Sequence, residues 1–422
     1  MKVFKHWKTR ILLILAVIGP GFITANVDND AGGILTYSQA GARFGNTLLW
    51  SLIPITIALV VVQEMSARMG AVTGKGLSDL IREEYGFRTT FLVMFALVVV
   101  NFSNVITEFA GIATSLQLFH VSKYWSVPLS AIFVWVLVTK GNYKTVEKVF
   151  LTASFFYICY VVAGVLARPD WGEAIRTTIV PPRVKSMLDQ SYLYMLVGMI
   201  GTTIAPWMQF YLQASIVEKG VTPRHYKTSR LDVIFGCFFT DIVAWFIIVA
   251  CAVAFASGRQ SIHDGAEAAR ALEPLAGHYA YLLFGAGLFN ASLFAASILP
   301  LSTAYTVCEG LGFESGLDKK FGEAPVFYWF YTILVGAGAA AVLFIPDQKL
   351  IPVSILSQVL NGILLPAILI YMLLLINKRR LMGKFVNSGV FNAIAWVTAV
   401  IIIFLTLIYT WMALFLKQGG AG

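Results

Sequence analysis

The sequence predicts an all-α integral membrane protein whose eleven transmembrane helices form two inverted five-helix repeats plus one further helix. Three observations predict it. The 422 residues are 58% apolar, 14% aromatic and only 13% charged, with a mean hydropathy of +0.77. A soluble domain carries about a quarter charged residues and a little under half apolar ones, so the surplus must face lipid. Eleven stretches approach the roughly 20 apolar residues that cross about 30 Å of hydrocarbon. Two of them, the first and the sixth, are interrupted at corresponding places in two five-span halves. These features exclude a cytosolic enzyme, a disordered scaffold and a secreted disulfide-rich domain.

The spans run at about 12–42, 47–69, 90–117, 125–140, 146–167, 192–216, 231–256, 280–312, 325–345, 351–377 and 389–416. The first, sixth and eighth are the weaker ones as continuous helices. Repeat one covers about 12–167, repeat two about 192–377, and the additional helix about 389–416, so residues 1–422 read as a single membrane transport domain. The basic start (Lys2, Lys5, Lys8, Arg10) precedes a long apolar run with no small-residue cleavage site, which makes it a retained first helix rather than a signal peptide. With the amino terminus cytoplasmic, 21 of the 31 Lys and Arg fall on cytoplasmic segments, including Lys219/Arg224/Lys227/Arg230 and Lys378/Arg379/Arg380/Lys384. That bias puts the carboxy terminus outside in a multi-pass protein of the cell membrane. The net charge of +9 is thus explained by the bilayer, and no nucleic-acid partner is expected; the chain is expected to be a monomer.

Residues 74–88 and 259–279 are read as short surface helices without chemistry. Cys159, Cys237, Cys251 and Cys308 sit in or beside apolar runs, far from CxxC spacing, and read as small buried hydrophobes. GAGAAA at 336–341 reads as a close-packing helix face. Glu64 is expected to pair with Arg68, four residues on, rather than to bind metal.

The polar residues inside the spans carry the function. In the first span, Asn26, Asp28, Asn29 and Asp30 lie at midplane depth and Gly32 and Gly33 follow. An ionised carboxylate there is costly, and backbone unwinds at that depth only where it is buried in protein or lines a water-filled cavity. The sequence therefore predicts two half-helices around an unwound acidic stretch. In the sixth span, Gly201, Thr202 and Thr203 precede Pro206, which removes a backbone donor and frees a carbonyl one turn back. A half-helix ending near Thr202 presents unpaired carbonyls and the negative end of its dipole. With Asp30 opposite, the chemistry is that of a cation site.

These residues resemble the Nramp divalent-metal transporters. The resemblance rests on GPGF at 19–22, AGARFGNTLLW at 40–50, SARMGAVTGKGL at 66–77, EFAGIATSLQLF at 108–119 and SQVLNGILLP at 357–366. It implies a LeuT-like fold with helices 1 and 6 broken. Where the family carries DPGN in its first broken helix, this chain has Asp30, Ala31, Gly32 and Gly33. Where the family carries MPHN in the sixth, it has Ala205, Pro206, Trp207 and Met208. The acid and the helix breaker are kept, while the Asn amide and the Met thioether are gone. A thioether favours softer ions over Mg²⁺ and Ca²⁺, and Mg²⁺ keeps several waters on one or two carboxylates. The pattern is most similar to the Nramp-related magnesium transporter branch.

The resemblance implies metal-site residues Asp30, Gly33, Thr202 (through its carbonyl), Ala205 and Gln358, with Gly33 enlarging the cavity. Asp28 either adds negative field to the vestibule or forms a structural hydrogen bond. Asp241 faces a cavity and attracts cations, the other reading being a role at a helix start. Trp207 either walls a larger cavity or packs against a neighbour. No cofactor is expected; Mg²⁺ or Mn²⁺ is the substrate.

All five His (His6, His120, His225, His263, His278) fall in tails or loops, so groups that titrate near neutrality are missing from the spans. The family's two sixth-helix His positions hold Trp207 and Leu212; Glu108 is retained, and Val105 stands where the family often has Asp. The expectation is Mg²⁺ movement without proton coupling, with Mn²⁺ also accepted. An inside-negative 100 mV supplies about 4.6 kcal/mol for a divalent ion, from roughly 2.3 per charge. The nearest rival is a proton-coupled Mn²⁺/Fe²⁺ carrier. An amino-acid symporter is further off, because Asp30 would repel a substrate carboxylate. No enzyme motif is present.

Overall fold

The computed structural model describes residues 19–182, 189–256 and 278–415, and these are helical with short connections. The basic start, the connector 259–279 up to residue 277, and His6 and His263 lie outside the described residues. Among the described residues, helices fall within each of the expected segments. By length and composition, nine of the described helices are long and apolar enough to cross a membrane. Two details separate nine from eleven. The first span's second half and the second span are joined by a 3-10 stretch, Gly45–Ser51. The fourth-span helix, Lys123–Lys140, has a lysine at each end and Ser and Pro within, which lowers its hydropathy.

The first span is two helices, α1 (Pro20–Asn26) and α2 (Ala31–Phe44), separated by a 3-10 turn at Val27–Asn29. α3 (Leu52–Thr73) follows. α4 runs from Leu77 to Gln117, so it begins thirteen residues before the third span, because the predicted surface helix continues into it. The two parts meet at Gly86, whose φ of 81° and ψ of 169° place it in a region L side chains avoid, so the chain turns there. α5 (Lys123–Lys140), α6 (Tyr143–Phe156), α7 (Ile158–Leu166) and the short α8 (Trp171–Ile179) complete the first half.

The sixth span is likewise two helices, α9 (Gln190–Thr203) and α10 (Pro206–Glu218). Pro206 opens α10 at a position where its missing N–H costs nothing, and it holds the preceding Ala205 extended (φ −63°, ψ 138°), which stops α9. α11 (Tyr226–Ala254), α12 (His278–Leu311), α13 (Pro325–Phe344), α14 (Leu350–Ile376), α15 (Arg379–Met382) and α16 (Gly389–Phe415) follow. His278 is therefore the first residue of α12, not part of a loop.

Close backbone approach holds the broken helices. A Cβ at Gly201 of α9 would overlap the Gln358 carbonyl oxygen and sit 2.5 Å from the Gly362 nitrogen, so α9 and α14 touch backbone to backbone. Gly338 packs its Cα face on Val105, in line with the close-packing reading of 336–341. Glu64 and Arg68 form the expected ion pair at 3.1 Å, and Arg68 also donates to the carbonyls of Phe385 (3.1 Å) and Val386 (3.3 Å) and to the Asn387 side chain. The four cysteines are buried as free thiols.

Candidate functional site

α1 begins with its first N–H groups aimed at one carboxylate. Asp232 on α11 accepts from Gly19 N–H (2.8 Å), Gly21 N–H (2.8 Å) and Phe22 N–H (3.1 Å). An anion at a helix N-terminus satisfies orphan donors and meets the positive end of the dipole. Gly21 leaves no room for a Cβ, which would lie 2.6 Å from Val233. GPGF is thus a seat for α1 on α11. About two turns further on, the Asn29 amide donates to the Thr240 carbonyl (3.1 Å) and hydroxyl (2.6 Å), which fixes the 3-10 turn against the same helix.

The chain is extended at Asp30 (φ −67°, ψ −179°), and α2 starts at the next residue. The Asp30 carboxylate caps α2 by accepting from Gly33 N–H at 2.6 Å. Gly32 and Gly33 are therefore the first helical turn of α2, not part of the unwound stretch. Their small size serves contact. A Cβ at Gly32 would overlap the Gln358 amide nitrogen and lie 3.3 Å from Asp30 Oδ1, so Gln358 and Asp30 stand on one side of the break. A Cβ at Gly33 would overlap the Asp28 carbonyl oxygen and lie 3.1 Å from Thr202 Oγ1. Gly33 thus makes room for the turn itself; the expected enlargement of the cavity at this residue is corrected.

The structure brings Asp30, Gly33, Thr202 and Gln358 together. The Thr202 hydroxyl reaches the Asp28 carbonyl at 3.5 Å, across from the α1–α2 break. Ala205 is buried within the α9–α10 break. Gln358 is held by Asn361, which donates to its Oε1 at 2.9 Å, and Asn361 exchanges two 3.1 Å bonds with Asn104 of α4. Tyr37 OH and Thr203 Oγ1, 2.6 Å apart, tie α2 to α9. Trp207 is buried against Tyr211, with ring centroids 6.3 Å apart, and its carbonyl accepts from Ser302 of α12.

Glu108, absent from the expected metal-site set, is at the centre. Its Oε2 accepts from Ala31 N–H at 3.1 Å, directly at the break. Its Oε1 faces no donor, and the group beside it is the Asp30 carboxyl. An acid buried in mid-span was the available signal. Asp232, at the start of the seventh span, gave no such signal; only the unpaired N–H groups of a helix starting at Pro20 asked for a partner.

Asp28 and Asp241 lie beside this group, Asp28 within electrostatic reach of both Asp241 and Asp30. The Asp28 carboxylate accepts no hydrogen bond, so the structural-hydrogen-bond reading of Asp28 is set aside. α11 starts at Tyr226, so Asp241 is in mid-helix and the helix-start reading is set aside too. Asp30, Asp28, Asp241 and Glu108 are 4%, 2%, 5% and 0% exposed, which closes the site to solvent. Among the described residues no group of three or more His, Cys, Asp or Glu is placed to hold a metal ion.

The family model described as natural resistance-associated macrophage protein-like matches residues 21–412. The chain belongs to the Nramp family. Its Nramp relatives include the divalent metal cation transporter MntH of Klebsiella pneumoniae, 26% identical over 398 residues and 92% of each chain. MntH of a Nostoc species is 25% identical over 402 residues, 92% of this chain and 89% of the relative. Among solved structures, the manganese transporter of Eremococcus coleocola superposes on this Nramp protein with a TM-score of 0.75 at 20% identity, over 99% of this chain and 90% of that one. A nucleobase-cation-symport-1 transporter shares the fold more distantly, with a TM-score of 0.55 at 13% identity over 94% and 93% of the two chains. The LeuT-like architecture with two broken helices is therefore that of the Nramp family.

Proposed function

We propose that this protein carries divalent metal ions across the cell membrane by alternating access, with the ion received at Asp30 between the two broken helices. It is a divalent metal transporter of the Nramp family and not an enzyme. The observation that carries the site is the cap geometry. Asp30 is held in the break by Gly33 N–H, next to Thr202 and Gln358, so its charge faces the junction of four helix ends. Around it are oxygen donors and an amide; Ala205 offers no sulfur. Such a donor set supports a hard ion that keeps part of its water, Mg²⁺ with Mn²⁺ also accepted. The Lys and Arg bias supports a cytoplasmic amino terminus and an outer carboxy terminus.

A second reading, proton-coupled Mn²⁺/Fe²⁺ transport, is supported by two observations. The relatives above are a divalent metal cation transporter and a manganese transporter, and they favour this reading over the magnesium one. The Asp30 and Glu108 carboxyls also meet. An ionised carboxylate is an acceptor only, so a contact between the two needs one proton between them. Arrival of a cation at Asp30 is a reason for that proton to leave, and this weakens the expectation of uncoupled movement drawn from the missing His.

Uptake by purified protein in liposomes under an inside-negative potential separates the readings. Suppression of Mn²⁺ uptake by excess Mg²⁺, without lumenal acidification, supports the hard-ion uncoupled reading. Mn²⁺ uptake indifferent to Mg²⁺, with stoichiometric acidification, supports the second.

A further inference from the structure

We infer that Asp28 and Asp241 form a second cation site beside Asp30, which holds the hydrated ion before or after its stay at Asp30. The inference rests on the reading that a transported cation is received at Asp30, and deepens it by one binding step.

The two acids come from different elements, Asp28 from the 3-10 turn of the first broken helix and Asp241 from the middle of α11. What brings them together is the neighbouring pair. The Asn29 amide is bonded to the carbonyl and hydroxyl of Thr240, so the residue after Asp28 is pinned to the residue before Asp241. Both carboxylates are more than nine-tenths buried, yet neither Asp28 oxygen has a hydrogen-bond partner, and the one hydroxyl beside Asp241, that of Thr56, donates to the Leu52 carbonyl at 2.7 Å. The Asn29 Oδ1, at the other end of the pinned amide, is buried and unpartnered as well. The charges that act on Asp28 are those of Asp241 and Asp30, both acids. Tyr37 of α2 and Cys237, one turn before Asp241 on α11, lie within reach of the same two acids. Among the described residues no Lys, Arg or His acts on the pair, and the Tyr37 hydroxyl is committed to Thr203.

Buried carboxylates are ordinarily paired, hydrogen-bonded or metal-bound. A structural acid would have drawn a donor, as Asp232 does with three N–H groups on the same helix. Asp28 and Asp241 instead lie next to the ion's position without such a backbone cap. Two carboxylates suit a divalent ion that retains water, since Mg²⁺-like ions use one or two carboxylates. Conduction is also served by neighbouring sites, each weak enough to release the ion.

Mn²⁺ binding to the purified full-length protein, counted by equilibrium dialysis with paramagnetic resonance of the free ion, tests this in an Asp30→Asn background. Asp30→Asn is expected to retain one Mn²⁺ per chain of lowered affinity, and Asp30→Asn/Asp28→Asn and Asp30→Asn/Asp241→Asn to retain none. An Asp30→Asn protein that binds no Mn²⁺, or residual binding that survives both double substitutions, overturns the second site. Wild-type crystals soaked in Mn²⁺ give a check that needs no variant. Anomalous density between Asp28 and Asp241 is expected, and density at Asp30 alone contradicts it. Failure of the underlying reading looks different: Asp30→Asn would then bind and transport like wild type, whatever the Asp28 and Asp241 variants do.

Discussion

Glu108 of α4 accepts a hydrogen bond from Ala31 N–H at 3.1 Å, the first backbone donor after the break in the first span. The start of a helix leaves its first backbone donors unpaired, and here a side chain 77 residues away supplies the acceptor. Glu108→Ala should therefore loosen the start of α2 as well as remove a carboxyl beside Asp30. A lost hydrogen bond to a charged acceptor costs about 1.5–3 kcal/mol, so uptake at sub-saturating Mn²⁺ should fall by roughly tenfold or more. Glu108→Gln keeps an acceptor oxygen and should retain more transport than Glu108→Ala. Liposome uptake assays with the two variants side by side check the order.

The Asp232 carboxylate makes a second prediction, because it carries three N–H groups of α1. Asp232→Ala leaves them unpaired and should cost about 1–3 kcal/mol, read as a lowered apparent melting temperature in detergent. Asp232→Asn, which keeps one acceptor oxygen, should fall between the two.

The neighbouring glycines should differ sharply. At Gly32 the obstacle to a Cβ is the far end of the Gln358 side chain, which can move. At Gly33 it is the Asp28 backbone carbonyl, which cannot move without remaking the turn. Gly33→Ala should abolish uptake, with overpacking of about 1–3 kcal/mol, while Gly32→Ala should reduce it. For the same reason Gly33→Asn should not restore an Asn ligand.

Ala205→Met puts a thioether into the α9–α10 break. It should raise the preference for Mn²⁺ over Mg²⁺, on the order of tenfold, because soft donors favour Mn²⁺ over hard Mg²⁺. Competition of Mg²⁺ against Mn²⁺ uptake measures it.

Much of this architecture is legible in the chain. Asp30 in mid-span, and Pro206 with Thr202 and Thr203 before it, mark both breaks, since an acid and a missing donor each disrupt a lipid-embedded helix in a way composition displays. The purpose of Gly32 and Gly33 is not legible, because it lies in contacts with Gln358 and Asp28 rather than in helix propensity. Gly86 hides a turn that merges a surface helix with a span, since hydropathy does not register φ. Asp232 looked like any acid near a span end until α1 was seated on it. Glu108 was visible as an acid in a span, but its contact with Ala31 and Asp30 depends on how α4 packs against the break.

The account rests most directly on Asp30, and divalent-ion uptake by Asp30→Ala in liposomes under an imposed potential tests it. Uptake of both Mg²⁺ and Mn²⁺ should drop to the level of empty liposomes while the variant remains folded and monodisperse. Uptake at the wild-type rate by that folded variant would contradict the account.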